Sequence, residues 1–187
     1  MGRGRMAVAV TLTIVATTGA TSPAGPETFR ATATIETAGG ARATAPVTVV
    51  VTRTTAEEEG HRLVRAFKTG GEGALRQALA GLPPTGSVRI GNASPTVARI
   101  TLDRPTAEGR LLTIVTDQPI LFLGSGFPDA KAKDGYGFGV LDIEVDANGN
   151  GSGTLSPAAK VKVAQGAFIV DEYAAQVLRL TDVRRER

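Results

Sequence analysis

The sequence predicts a mainly β domain of the α+β class: an antiparallel meander that closes into a barrel or folds into a sandwich, with a two-helix insertion after its second strand. Three observations predict it. Residues 28–37 alternate with period two, setting Phe29, Ala31, Ala33 and Ile35 against Arg30, Thr32, Thr34 and Glu36, the pattern of a strand covered on one face. From residue 87 to 183, short β-rich runs follow one another through turn-like joins such as 147–151 and Gln165-Gly166, and strands joined so closely pair antiparallel. Between these two regions the apolar spacing turns helical, over residues 55–82.

Taken in order, the chain opens with Arg3 and Arg5, then an uncharged run over 6–18, then small residues. That is the layout of a secretory signal peptide. Its apolar centre, 7–16, is interrupted by Thr11 and Thr13 and is shorter than the roughly 20 apolar residues that span a bilayer. Cleavage is expected after Ala20, with Thr18 as the second small residue, or after Ala24, with Ser22. A buried first strand over 8–15 is the alternative, because Val, Thr and Ile suit strands. The leader places the chain outside the bacterial cytoplasm, in the periplasm or beyond, with no membrane span after cleavage. No cysteine is present, which excludes a lipidated N-terminal Cys, disulfides, thiol catalysis and Cys-ligated zinc.

The expected organisation is a leader over 1–24, one domain over 25–183 and a basic tail over 184–187. Gly39-Gly40 turns the first strand into a second, 46–54, in which Val49, Val50 and Val51 in succession suggest cover on both faces. Thr55 followed by Glu58 is a capping-box spacing, and Glu57, Glu58 and Glu59 put negative charge in a first helical turn. Leu63, Val64 and Phe67 form the apolar stripe of a helix that Gly70-Gly71 ends. A second helix, 72–80, stops at Gly81, Leu82, Pro83 and Pro84, giving a helical hairpin over about 55–82. Further strands are expected over 87–90, 96–102, 110–116, 119–123, 137–146, 153–163, 167–173 and 176–183.

Charge argues against a nucleic-acid partner. The pI near 9.6 comes from the ends: without the leader, 19 basic residues stand against 18 acidic, and without the last four residues 16 stand against 17. A near-neutral body offers no basic stripe to follow a phosphate backbone.

Several patterns bear on chemistry. His61, the single histidine, sits on an acidic helix face and reads as an exposed helix residue, so neither a triad nor a His-rich zinc site is expected. Ser125 in L-G-S-G-F lacks nucleophile-elbow spacing, and no phosphate or dinucleotide loop occurs. D-A-N-G-N-G at 146–151 matches the first half of a calcium loop, but Pro157 stands where the bidentate glutamate belongs, so an Asn-Gly hairpin turn is expected, with no metal and no cofactor. Asp117, Asp142, Glu144 and Asp171 are the candidate catalytic carboxylates. A pair of them dividing acid and base roles would make a hydrolase, whereas the alternation V-L-D-I-E-V puts Asp142 and Glu144 on an outer face. In G-Y-G-F-G, Tyr136 and Phe138 share one face and the glycines leave a groove for a neighbour's close approach. The loop 124–135 has no regular pattern and is the expected rim of a ligand mouth. The candidate ligand-binding residues are accordingly Phe122, Phe127, Lys131, Lys133, Tyr136 and Phe138, with Phe168 lining the interior.

The run T-D-Q-P-I-L-F-L-G at 116–124 and the stretch G-x-G-T-L-x-P-A-A-K at 151–160 resemble segments of predicted exported bacterial proteins without assigned function. The resemblance covers the C-terminal half, implies export and carries no catalytic residues. The function expected is a non-enzymatic exported binding or interaction domain, for a small apolar ligand or an envelope protein. A carboxylate-dependent hydrolase and a structural component of an envelope complex are the alternatives.

Overall fold

The computed structural model describes residues 11–12, 25–36, 42–120, 136–164, 167–173 and 177–186. Among these, the strands are β1 (Thr11–Leu12), β2 (Glu27–Glu36), β3 (Arg42–Val51), β4 (Gly86–Ile90), β5 (Thr96–Pro105), β6 (Gly109–Thr116), β7 (Phe138–Asp146), β8 (Asn150–Ala164), β9 (Ala167–Tyr173) and β10 (Leu178–Arg185), and the helix is α1 (Glu57–Ala80). Every pairing is antiparallel. Around the ring the order is β8, β10, β2, β3, β4, β5, β6, β7, and β7 returns to β8. The meander is thus a closed eight-stranded barrel, and the sandwich alternative falls away. Closure leaves no edge within the ring.

Period-two alternation explains which side chains fill it. Phe29, Ala31 and Ala33 from β2, Val47, Val49 and Val51 from β3, and Leu141, Ile143 and Val145 from β7 are buried in one cluster with Leu112, Leu155, Leu180 and others. At eight strands a barrel interior is about wide enough for side chains to fill. A second cluster lies on the outside, where Leu63, Val64, Leu75 and Leu79 of α1 cover Ile100, Val115, Phe138, Val140 and Ala159. Residues 49–51 accordingly alternate after all: Val50 is only half-buried between two buried neighbours.

Two bulges decide which face a strand presents. Between Ala98 and Ile100 the β5 register slips against β6, so Ala98 joins the barrel interior while Ile100 joins the helix-facing cluster. In β10 the register slips between Leu180 and Val183, with Asp182 in the left-handed region at φ 53. The extra residue turns Val183 back into the interior.

The helical insertion differs from the expected hairpin. It is one helical element, bent where Gly70 (φ −137, ψ 17) and Gly71 (φ 64, ψ −152) leave helical geometry. The conformation of Gly71 is open essentially to glycine alone, and the helical stretches on either side meet there at a kink. The N-cap is also one residue later than the Thr55 spacing implies. Glu59 Oε2 accepts the Ala56 N–H at 2.9 Å, while the Thr55 hydroxyl accepts the Thr101 N–H at 2.9 Å and so ties the helix entry to β5.

Two further expectations change. Residues 119–120 are not in a strand, and Ile120 instead donates its N–H to the Pro157 carbonyl at 2.9 Å; residues 121–123 lie outside the described residues. Arg184 and Arg185, expected in a basic tail, belong to β10. Outside the ring, β8 outruns its barrel partners, and its 159–164 segment pairs with β9, which pairs in turn with β1.

Candidate functional site

Three groupings of polar or aromatic side chains, and one strand outside the ring, could carry function. The first grouping closes one end of the barrel. Glu27 opens β2 in phase with Phe29 and therefore points inward. Its Oε1 accepts from Arg110 Nη2 at 2.6 Å and from Arg185 Nη1 at 3.1 Å, and Arg110 Nη1 reaches Asp103 Oδ2 at 2.9 Å. The Arg110 guanidinium also lies over the Phe29 ring, 5.8 Å from its centroid. Burial works against the charge on Arg110, but its bonds to Glu27 and Asp103 outweigh this and raise its pKa. All of these groups pair with one another except Glu27 Oε2, which is buried without a hydrogen-bond partner among the described residues. Sequence reading missed this cluster. The signal was present, because extending the alternation of β2 back by two residues sets a carboxylate on the apolar face.

A second grouping holds the candidate aromatics. Tyr136 and Phe138 are both buried, but Phe138 packs beneath α1, outside the ring. Arg76 stands over the Phe138 ring at 5.7 Å and Lys160 over the Tyr136 ring at 4.8 Å. The alternating glycines serve close approach. At Gly139 a Cβ would lie 2.5 Å from Ile120 Cγ1 and 2.6 Å from Thr116 Oγ1, and the Gly139 N–H donates to that same hydroxyl at 2.9 Å. Phe122, Phe127, Lys131 and Lys133, and with them the expected rim over 124–135, lie outside the described residues, as does the side chain of Phe168.

The third grouping concerns the carboxylates. Asp142 and Glu144 do share the outer face of β7, alternating with Leu141, Ile143 and Val145 inside. Asp142 accepts from Thr113 Oγ1 at 2.5 Å. Burial raises its pKa, and the Thr113 bond and the nearby Arg104 charge only partly offset that. Arg104 Nε is itself buried without a partner among the described residues. Glu144 is exposed. Asp117 does not join them. It is bound to Arg99 at 2.8 Å, and Arg99 also donates to the Leu82 carbonyl at 2.8 Å, which fastens the segment after α1 to the β5 bulge. Asp117 lies four residues beyond Thr113, about 13 Å along the sheet. The side chain of Asp171 is outside what is described.

The remaining motifs have local roles. Asp146 Oδ1 accepts the N–H groups of Asn148 at 2.8 Å and Asn150 at 2.9 Å, and Gly149 takes φ 82. The hydrogen bond from Asn150, foremost, lowers the Asp146 pKa. This is a side-chain-stabilised hairpin turn between β7 and β8. His61 is exposed, 3.9 Å from Glu57 Oε1. Among the described residues no group of three or more His, Cys, Asp or Glu is placed to hold a metal ion.

The strand outside the ring is β9, which lies between β8 and β1. One side pairs with β8 along the strand, whereas the other, among the described residues, meets β1 at Phe168 and Ile169. Among the described residues, Val177 is the one exposed large hydrophobic side chain. No protein-family model, curated protein or solved structure matches the chain.

Proposed function

We propose that the chain is an exported, non-enzymatic interaction domain that engages another protein of the bacterial envelope. The observation that carries this reading is β9, a strand outside the closed ring whose outer edge, among the described residues, meets only Thr11 and Leu12. An unpaired row of backbone N–H and C=O groups is a template for another strand. The ionisable clusters support the same reading, because Glu27, Asp103, Arg110, Arg99 and Asp117 are bound to one another in pairs that hold the fold. Side chains filling the ring favour a protein partner over a small apolar ligand held inside it.

Export and interaction are tested together by expressing the tagged full chain in a bacterium. The exported fraction is expected to hold a product beginning at Thr21 or Gly25, and a photo-crosslinker placed at β9 is expected to form a discrete adduct that one at Thr154 on the barrel wall does not. Retention of the unprocessed chain in the cytoplasm, or equal adducts from both positions, overturns the proposal.

One observation favours a second reading, a carboxylate-dependent hydrolase: Asp142, protonated more readily than an ordinary aspartate, shares a face with Glu144, two residues along β7. It requires hydrolysis of an ester, amide or glycoside by the purified chain, lost in Asp142→Asn. Undiminished turnover in that variant removes it.

A further inference from the structure

We propose that the outer edge of β9 is a strand-acceptor site, held in the full chain by residues of its own N-terminal segment and taken, once that segment is removed, by an extended uncharged strand of another exported protein. This rests on the reading of the chain as an exported interaction domain and names the surface it uses. All strands of the ring and the helix lie within residues 27–185, so closure of the barrel does not call on the N-terminal segment. What that segment contributes is β1, with Thr11 opposite Ile169 and Leu12 opposite Phe168, antiparallel. The same run, 6–18, is uncharged and rich in β-branched residues, and it is the run read as a cleavable leader. Its removal would strip β9 of its only described outer partner.

The sequence of β9, A-F-I-V-D-E-Y, suits this role. It contains none of the proline, lysine or glycine that commonly blunts an edge strand, and its β-branched and aromatic content favours pairing. In strand addition the main-chain hydrogen bonds supply affinity, and alternate side chains supply selectivity. The seated residues show the class of occupant, an uncharged antiparallel strand. A second copy fits less well. Antiparallel self-pairing over all seven residues sets Asp171 against Ile169 and Glu172 against Phe168, and it makes the two Asp171 residues diagonal neighbours about 7–8 Å apart.

The test compares hydrogen exchange in the full chain and in a chain starting at Gly25, with a synthetic peptide of residues 8–15 carrying terminal lysines for solubility as the probe. Amides of 167–173 are expected to exchange about tenfold faster in the shortened chain and to recover on adding the peptide, while amides of β2, β3 and β7 stay unchanged. A peptide with Leu12→Pro, which leaves the protein intact, is expected not to restore protection. The inference is overturned if β9 is equally protected in both chains without peptide, if the peptide protects another strand, or if the shortened chain dimerises through β9. If the peptide binds β9 but the leader is not removed in cells, the site stands and the export reading fails.

Discussion

Glu27 and Arg110 form a 2.6 Å ion pair across the barrel. Their strands, β2 and β6, stand four steps apart in either direction around the eight-stranded ring, so the pair joins opposite walls at one end of the interior. Asp103 and Arg185 complete it. A pair so placed resists separation of the two walls, and removal of one partner leaves the other charge buried.

Breaking the pair from one side tests that placement. Arg110→Met should destabilise the fold by about 2–3 kcal/mol, less than the roughly 3–5 expected for a fully buried pair, because the Arg110 side chain is still 22% exposed. The double variant Glu27→Gln with Arg110→Met should recover a substantial part of this loss. Urea denaturation of the two variants beside the native chain checks both statements.

Asp142 should give the opposite sign. Its folded-state pKa lies above its ordinary value of 3.8 because of burial. An acid of this kind costs no stability while protonated in both states, and it costs progressively more as pH rises from 3.8 through the folded-state pKa. Asp142→Asn, which can still accept from Thr113, should therefore gain stability relative to the native chain as pH rises from about 3 to about 7. Thermal unfolding at a series of pH values measures the difference, and a difference that does not change with pH defeats the argument.

Glu59 behaves in the usual carboxylate direction. Its bidentate bond with Arg53, at 2.8 and 3.1 Å, lowers its pKa below 4.5 against the cost of burial, with a further contribution from the Ala56 N–H. The stability it adds is present above pH 4.5 and is lost as pH falls through the folded-state pKa. Glu59→Gln should cost about 1–2 kcal/mol at neutral pH, with the deficit shrinking under acid. Arg53→Lys should cost a similar amount, because a single ammonium cannot reproduce the fork. Denaturant titration at neutral pH and again in acid distinguishes these cases.

Two glycines should respond oppositely to alanine. Gly139→Ala forces a methyl into Ile120 and Thr116 and should destabilise by about 1–3 kcal/mol. Gly73 lies in α1 with nothing within 4 Å of its added Cβ, so Gly73→Ala should stabilise by about 0.5–1 kcal/mol. Calorimetric midpoints of the two variants provide the comparison.

Much of the fold was legible because its signals are local. Period-two alternation marks β2 and β7, and the stripe Leu63, Val64 and Phe67 marks a helix, since each pattern needs only a few neighbouring residues to define a face. Thr55 has the spacing of a cap without the role, because capping chemistry is local only until a strand competes for the same hydroxyl, as Thr101 does. The candidate site was less legible. Asp117 and Asp142 look alike in sequence, yet one is bound to Arg99 just beyond the end of β6 and the other is half-buried beside Thr113. Sequence spacing does not measure distance across strands.

By itself, the sequence determined that the chain is built mainly of short antiparallel strands around one helical insertion, that its excess charge sits at its ends, and that cysteine chemistry is absent. These follow from composition and short-range periodicity. Only the tertiary structure decided that the sheet closes, that Glu27 meets Arg110 across it, and that β9 stands outside the ring. The reason is register. A one-residue bulge near Arg99 or Asp182 reverses every later side chain on its strand, and which strands meet last is fixed by packing between residues far apart in the chain.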